Sequence, residues 1–324
     1  MIRKRMNQKM NNLDSQLEGV STVAIAGHVR PDGDCVGSCL ATYNYIKNNY
    51  PQIEVVVYLE PIPNIFKFLS GAMEIQNDCS KDIVYDLFIA QDCGDLGRLG
   101  DAAKYFEMAK KTVCIDHHVS NQSFADENYI FPKASSTSEL IFDLIDTEKI
   151  TKEIAECIYT GMIHDTGVFQ YSCTSAKTMA AAGILMEKGI DFPKIVDQTF
   201  FEKTYEQNRI LGHALVKSEL HLDGKCISTV ITRKEMEEYQ VLPKHLEGIV
   251  SQLRSTKGVE VAIFLYENED GSYKVSTRSA SVVDVAKIAV KYGGGGHARA
   301  AGITMQGDSK EIIEKLLLDV AEQL

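Results

Sequence analysis

Short apolar segments that alternate with helical patterns most constrain how this chain can fold. Near-continuous apolar stretches lie at residues 22–27, 53–59, 86–90 and 112–115. Such stretches, separated by helices, are typical of strands in a parallel sheet that is covered on both faces. We therefore predict an α/β fold for the N-terminal half, built on a doubly wound, mainly parallel sheet.

The helices expected around this sheet follow from apolar spacing. One should begin near Cys35, with further helices at residues 138–145, 154–163 and 176–188, the last ended by Gly189. The segment 191–216 is polar and helical, which is typical of a connector.

The pattern changes after residue 216. Turns containing Asp-Gly predict hairpins at residues 220–227 and 259–277, and helices are expected at 246–253, 282–290 and 309–324. The chain of 324 residues is long enough for two domains. We predict an N-terminal α/β domain over residues 1–190, a helical connector over 191–216, and a smaller α+β domain over 217–324.

The net charge of the chain limits its partners. At −11 it lacks the basic surplus of proteins that coat long duplex nucleic acid, because phosphate contacts supply most of their affinity. A small anionic substrate is still compatible with this charge, since bound divalent cations would invert the local field.

Cysteine usage and the N-terminus indicate the compartment. The eight cysteines form no Cys-x-x-Cys pair and several lie in apolar stretches, so we predict small buried thiols in a reducing compartment and no structural zinc. Residues 1–12 are basic and polar with no apolar segment after them, and no stretch is long enough for a membrane span. We expect a cytoplasmic protein without membrane contact.

Acidic residues, often beside a histidine, follow the predicted strands and one helix. They are His28, Asp32 and Asp34 after the first strand, Asp92 after the third, Asp116-His117-His118 after the fourth, and Asp165 after helix 154–163. The carboxyl ends of parallel strands meet at one edge of a sheet. One such aspartate, for example Asp34, is usually a helix cap or turn residue. Four such chain positions together predict a metal cluster, with Mn²⁺ favoured by mixed imidazole and carboxylate ligands and Mg²⁺ by carboxylates alone.

A glycine-rich segment near the C-terminus has two interpretations. Gly293 to Gly296 could form a flexible turn. The alternative is a phosphate site, because consecutive glycines expose backbone N–H groups and His297 and Arg299 add charged donors. Arg254 and Arg278 in the same domain could bind a phosphate or a base, or could simply be solvated.

These motifs resemble the DHH phosphoesterase superfamily. His28-x-x-x-Asp32-x-Asp34, Asp92, Asp116-His117-His118 and Asp165 resemble its four motifs, and the segment from Gly293 to Gly302 resembles the glycine-rich motif of the DHHA1 domain. The pairing and the length are similar to the NrnA group of nanoRNases and pAp phosphatases. The resemblance implies a DHH catalytic domain followed by a DHHA1 substrate-binding domain.

The resemblance also implies roles for these residues. The first cation would be held by His28, Asp32 and Asp92, and the second by Asp34, Asp92, His117 and Asp165. His118 would donate to the phosphate or act as general acid, and Asp116 would orient a histidine. In the C-terminal domain the implied substrate-binding residues are Gly294, Gly295, Gly296, His297, Arg299, Arg254 and Arg278. His164 is not a required ligand of the family and is expected to be structural, and Arg98 is expected on the surface.

The implied reaction is two-metal hydrolysis of a phosphoester, with two divalent cations roughly 3.5–4 Å apart and His118 assisting the departing oxygen. Mn²⁺ is the expected metal, with Mg²⁺ or Co²⁺ as alternatives. Expected substrates are short single-stranded RNA, cut to 5′-mononucleotides, and 3′,5′-bisphosphate nucleotides such as pAp. Alternatives are a linear dinucleotide phosphodiesterase acting on pApA or pGpG, an inorganic pyrophosphatase or polyphosphatase, and a non-enzymatic nucleotide-binding module. A homodimer is a further open expectation.

Overall fold

The computed structural model describes residues 13–324, and the prediction made for residues 1–12 lies outside them. The chain forms two compact units that divide between Glu202 and Lys203. Each unit has its own sheet and its own hydrophobic core. The three-part division at residues 190 and 216 stays a prediction.

The sheet of the first unit has five parallel strands. They are β1 Thr22–Ala26, β2 Glu54–Tyr58, β3 Leu87–Gln91, β4 Thr112–Asp116 and β5 Glu127–Ile130, in the order β2-β1-β3-β4-β5. The four predicted strands are confirmed to within a residue or two. The fifth was not predicted, because Glu-Asn-Tyr-Ile is a half-buried edge strand with no continuous apolar stretch.

Helices cover both faces of this sheet, as the fold prediction requires. They are α1 Leu13–Gln16, α2 Gly33–Asn49, α3 Ala103–Met108, α4 Thr137–Leu144, α5 Lys152–Asp165, α6 Ala176–Glu187 and α7 Phe192–Val196. Val23 and Ile25 of β1 point into the core shared with α2, α4 and α5. Ala24 and Ala26 point to the opposite core, where α3 contributes Tyr105 and Phe106. This alternation along one strand is what a doubly wound sheet needs.

The start of α2 corrects one local interpretation. Asp32 is the N-cap, and its Oδ1 accepts the backbone N–H groups of Asp34 at 3.1 Å and Cys35 at 3.2 Å. Asp34 lies inside the first turn, so the cap interpretation weighed for Asp34 applies to Asp32 instead. The carboxylate of Asp34 is therefore available for another role.

The second unit is an α+β domain with a six-stranded mixed sheet. Its elements are α8 Tyr205–Val216, β6 Glu219–His221, β7 Cys226–Ile231, α9 Arg233–Glu238, α10 Ile249–Arg254, β8 Val261–Glu267, β9 Tyr273–Ser279, α11 Val285–Lys291, β10 Gly295–His297, β11 Ala300–Met305 and α12 Ser309–Ala321. The strand order is β10-β11-β9-β8-β7-β6, with β7 and β8 parallel and the other pairs antiparallel. Both predicted hairpins, β6–β7 and β8–β9, are confirmed.

The segment predicted as one helical connector is interrupted. After α7 a π-helical turn covers Asp197–Phe201, and α8 begins only at Tyr205. Thr204 and Gln207 form a capping box there, which fixes the new helix start. Within residues 13–324 no helix has the length and apolar character needed to cross a bilayer.

Candidate metal centre

The strand order places the candidate ligands at one point of the sheet. The chain leaves β1 toward β2 on one side, whereas β3 lies on the other side of β1. Loops that follow two such strands diverge and leave a crevice at their carboxyl ends, where ligands of open α/β sheets bind. His28 follows β1 and Asp92 follows β3, so both lie at this crevice.

The first ligand group is centred on His28, which is almost fully buried. Its Nδ1–H donates to the Val29 carbonyl at 2.9 Å, which leaves Nε2 to face carboxylates. Nε2 lies 3.6 Å from Asp32 Oδ1 and 3.5 Å from Asp92 Oδ2. Burial alone would lower the pKa of His28, but the carboxylates of Asp32 and Asp92 outweigh burial and raise this pKa to about 11. The imidazole therefore lies in a strongly negative field.

The second ligand group is centred on His117. Its Nε2 lies 3.1 Å from Asp165 Oδ2, 3.5 Å from Asp92 Oδ1 and 4.0 Å from Asp34 Oδ2. One carboxylate oxygen of Asp34, one ring nitrogen of His117 and one carboxylate oxygen of Asp165 all lie within 4.8 Å of one another. Asp92 directs one carboxylate oxygen toward His28 and the other toward His117. It is thus the group that joins the two halves of the centre.

Asp34 is completely buried and is held by the N-terminus of α4. Its two oxygens accept the backbone N–H groups of Thr137 at 2.6 Å and Ser138 at 2.9 Å. A helix N-terminus stabilises a carboxylate through these unpaired donors. Burial, followed by the charges of Asp92 and Asp165, nevertheless raises the pKa of Asp34 well above its usual range. The hydrogen bonds from Thr137 and Ser138 therefore do not outweigh burial and the repulsion from neighbouring carboxylates.

The donor chemistry of these residues fits divalent cations, and the backbone of Asp92 is strained. Asp34 and Asp92 are buried beside Asp165, and such carboxylates repel one another unless protons or cations lie between them. Carboxylate oxygens and imidazole nitrogens together are ligands of Mn²⁺ and similar ions. Asp92 also adopts a left-handed backbone with φ +53°, a strain of about 1–3 kcal/mol that is characteristic of functional sites.

His118 is held differently from His117. Its Nδ1–H donates to Asp116 Oδ1 at 2.7 Å, and this bond, ahead of the opposing effect of burial, raises the pKa of His118. Asn121 donates to the other oxygen of Asp116, also at 2.7 Å. His118 also lies within 4.8 Å of Asp92 and His117, but Asp116 already occupies its Nδ1. Nε2 is therefore the ring nitrogen that is not bonded to Asp116.

His164 and Arg98 lie outside these groups. The His164 ring packs against Phe66 with centroids 4.9 Å apart, and burial lowers the pKa of His164 to about 4. It is a neutral ring in an aromatic environment. Arg98 is partly buried, and its backbone carbonyl accepts the Val29 N–H at 2.8 Å, which anchors the loop after β1.

The glycine-rich segment of the second unit forms an edge strand and not a flexible turn. Gly295, Gly296 and His297 form the edge strand β10, paired with β11. Arg299 lies in the turn between them, where its Nη1 donates to the Val283 carbonyl at 2.9 Å. Arg278 on β9 lies opposite Ala300 of β11, and Arg254 ends α10. His297 and Arg299 are exposed at this edge.

Comparison with known proteins decides the family. The N-terminal domain of the DHH family matches residues 22–162, and the DHHA1 domain matches residues 223–324. The chain belongs to the DHH phosphoesterases. The DHH match contains every candidate ligand except Asp165, which lies three residues beyond its end.

Several relatives align with this chain over nearly its whole length. The chain is 29% identical to the bifunctional oligoribonuclease and PAP phosphatase NrnA of Thermus thermophilus, over 98% of this chain and 95% of that protein. Identity to the protein of the same name from Bacillus subtilis is 27%, over 92% and 93% of the two chains. A crystal structure of an exopolyphosphatase-related protein from Bacteroides fragilis superposes with a TM-score of 0.86 at 26% identity, covering 99% and 96%.

Sequence reasoning missed several residues of this DHH centre. Thr137 and Ser138 bind Asp34, Thr137 Oγ1 donates to Asp92 at 3.2 Å, and Asn121 binds Asp116. The run Ser135-Ser136-Thr137-Ser138 is a recognisable helix start, but it carries no signal that its N–H groups face a carboxylate. Cys35 also lies beside His28 and Asp92, although it was expected only as a packing residue.

Proposed function

We propose that this DHH phosphoesterase hydrolyses short RNA oligonucleotides to 5′-mononucleotides and removes phosphate from 3′,5′-bisphosphate nucleotides such as pAp. The observation that carries the proposal is Asp92, which places one oxygen near His28 and the other near His117. A shared carboxylate between two ligand groups is the arrangement needed by a two-metal phosphoesterase. The names of the two bacterial NrnA relatives support the choice of substrates.

Two divalent cations are proposed at this centre. His28, Asp32 and Asp92 would hold the first, and Asp34, Asp92, His117 and Asp165 the second. Mn²⁺ is the proposed metal, with Mg²⁺ or Co²⁺ as alternatives. When bound, such a pair supplies a strong nucleophile from water and neutralises charge on the phosphoryl oxygens.

Side chains and a helix N-terminus of the protein position the proton donor and one of the proposed metal ligands. Asp116 and Asn121 fix His118, and the negative field of Asp116 favours its protonated form. A protonated imidazole can donate a proton to the departing oxygen of the ester. The N-terminus of α4 holds Asp34 in one orientation, so a ligand oxygen needs no rearrangement before the reaction.

We assign substrate binding to the glycine-rich edge and to arginines of the DHHA1 domain. The proposed residues are Gly294, Gly295, Gly296, His297, Arg299, Arg254 and Arg278. Exposed donors at the edge strand and the cationic side chains suit a phosphate group. The net charge of −11 favours small nucleotides over long polymers. A cytoplasmic location and a homodimeric state stay predictions, tested by cell fractionation and by analytical ultracentrifugation.

A rate panel tests the proposal. Purified protein loaded with Mn²⁺ should hydrolyse a labelled RNA dinucleotide and pAp faster than short DNA, pyrophosphate or polyphosphate. Folded, metal-loaded protein that turns over neither RNA nor pAp would contradict the proposed function.

A linear dinucleotide phosphodiesterase is the second candidate. The chain is 26% identical to the cyclic-di-AMP phosphodiesterase PdeA of Listeria monocytogenes over 93% of its own length, but covers 47% of that protein. The same panel separates the two candidates when it includes pApA and pGpG. A kcat/KM for pApA well above that for other RNA dinucleotides and pAp would favour the second candidate.

A further inference from the structure

Cys35 introduces a sulfur atom into the first ligand group. Its Sγ, one ring nitrogen of His28 and one oxygen of Asp92 all lie within 4.8 Å of one another. All three residues are buried, with Cys35 0% exposed. Among the residues that the structure describes, no other cysteine belongs to such a group.

The position of Cys35 is fixed by the two elements that form the centre. Its backbone N–H is bound by the Asp32 cap, and its Sγ lies 3.8 Å from the His28 carbonyl oxygen. Gly27, at the end of β1, leaves the space for the sulfur, because a Cβ at Gly27 would lie 2.2 Å from Sγ. The thiol therefore extends from the first turn of α2 and packs against the end of β1.

The other ligand group has a different composition. Asp34, His117 and Asp165 offer only carboxylate oxygens and imidazole nitrogen. Oxygen and nitrogen ligands suit Mn²⁺ and Mg²⁺, whereas a thiolate favours softer cations such as Zn²⁺ and Cd²⁺. The two halves of the centre thus differ in ligand softness.

We propose that Cys35 Sγ is a ligand of the cation held by His28 and Asp92, and that this first site prefers a more thiophilic cation than the second. The proposal rests on the metal centre of the proposed function. On binding, the S–H bond breaks, a sulfur–metal bond forms and the proton leaves to solvent, with no change of oxidation state. A cation beside a thiol is sufficient to remove that proton.

Cobalt spectroscopy tests the ligand directly. Metal-free full-length protein is titrated with Co²⁺ while absorbance is recorded. The expected result is a thiolate-to-cobalt charge-transfer band in the near ultraviolet for the unaltered protein, and its loss in Cys35→Ser. Absence of the band in the unaltered protein overturns the proposal, whatever the folding of any variant.

Cys39 supplies the matched control. It lies one turn further along α2, is 0% exposed, and its Sγ would lie 3.3 Å from the same Cβ at Gly27. Cys39→Ser introduces an equal hydroxyl into the same core, so it reproduces any packing cost. The band should persist in Cys39→Ser, and a band lost equally in both variants would overturn the assignment to Cys35.

Calorimetry tests the selectivity. Zn²⁺ and Mn²⁺ are titrated into the unaltered protein and into Cys35→Ser, each in two buffers that differ in ionisation enthalpy. Cys35→Ser should release one proton fewer per Zn²⁺ bound at the first site and should weaken Zn²⁺ binding by at least about tenfold, with a smaller effect on Mn²⁺. Equal losses for both cations would overturn the preference.

Failure of Cys35 as a metal ligand can be distinguished from failure of the proposed function. Unaltered protein that hydrolyses RNA dinucleotides without the cobalt band contradicts only the role of Cys35. Protein that shows the band but hydrolyses none of the phosphoesters contradicts only the proposed function.

Discussion

Asp116 Oδ1 lies 2.7 Å from His118 Nδ1, and the same carboxylate is completely buried. Its Oδ1 also accepts the backbone N–H of His117 at 2.9 Å, and its Oδ2 accepts Asn121. Burial alone would raise the pKa of Asp116, but His118 and Asn121 outweigh burial and lower it. The carboxylate therefore orients both histidines of the motif, one through its ring and the other through its backbone.

Asp116→Asn should reduce kcat by about 10–100-fold, the usual effect of losing a group that orients a metal-site residue. The amide cannot act as the anion that holds the His118 ring. Bound metal, measured by elemental analysis, should stay near that of the unaltered protein. Loss of most of the metal would mean that Asp116 acts on the ions themselves and not through His118.

Asp92→Asn should lower kcat/KM by more than about 100-fold, because it replaces one of the two carboxylate oxygens through which Asp92 is proposed to bind both ions. Asparagine also tolerates the left-handed backbone at this position, so circular dichroism should show an intact fold. Asp82→Asn is the control, since that side chain is 88% exposed, and its rates should match the unaltered protein. Substantial activity in Asp92→Asn would exclude the shared-ligand assignment.

Gly33→Ala should destabilise the loop that carries Asp32 and Asp34. A Cβ at Gly33 would lie 2.3 Å from His164 Cγ, and that ring is confined by Phe66 and Phe200. We expect a loss of about 1–3 kcal/mol in the free energy of unfolding, measured by urea denaturation. In a double-mutant cycle, Gly33→Ala should cost much less stability in the His164→Ala background than in the unaltered protein. Additive effects of the two substitutions would show that the clash lies elsewhere.

Removal of divalent cations should lower the stability of the first unit, because the carboxylates of Asp34, Asp92 and Asp165 then lie close together without the proposed ions between them. Re-addition of Mn²⁺ at about 100 times its Kd should restore roughly 2.7 kcal/mol for one site. Differential scanning calorimetry across a Mn²⁺ series measures this gain. Asp92→Asn should gain less, and an equal gain in that variant would place the stabilising ion outside the centre.

Glu235 predicts a pH-dependent contribution in the second unit. Burial alone would raise the pKa of Glu235, but His213, Lys217 and Thr232 outweigh burial and lower it to about 2. A lowered folded-state pKa means that the stabilisation is complete above the ordinary value near 4.5 and is lost as the pH falls toward 2. Glu235→Gln should cost about 1–2 kcal/mol at pH 7 after allowance for solvent screening.

Urea denaturation of both proteins between pH 7 and pH 2 measures this contribution. The difference in free energy of unfolding should shrink below about pH 4.5. Glu237→Gln on the same helix is the control, since its side chain is 71% exposed and should contribute little. A difference for Glu235→Gln that grows at low pH would contradict the assignment.

The strands of the first sheet could be predicted wherever burial on both faces leaves an apolar signature. β1, β3 and β4 are buried along almost their whole length, and their sequences are correspondingly apolar. β5 has one solvated edge, so its polar sequence gave no such signal. Gly295 to His297 likewise paired as an edge strand despite a composition typical of a turn.

The convergence of acidic strand ends could also be predicted, because parallel strands bring their carboxyl ends together. The contact of Asp34 with Thr137 could not, since 103 residues separate the two and the contact depends on how α4 packs against α2. Cys35 was predicted, like the other cysteines, as a small buried thiol, and it is buried. Only the tertiary structure shows that it lies beside His28 and Asp92.

The spread of the centre along the chain has a consequence for biosynthesis. Asp34 is anchored by N–H groups of α4, and Asp165 ends α5, so no ribosome-bound fragment shorter than this point contains the whole centre. At about 5–20 residues per second, the interval between translation of His28 and Asp165 lasts roughly 7–27 s. During that interval the nascent chain presents incomplete sets of chelating side chains to the cell. Assembly of the complete candidate centre is therefore a late event in the production of this enzyme, after slightly more than half of the polypeptide has been made.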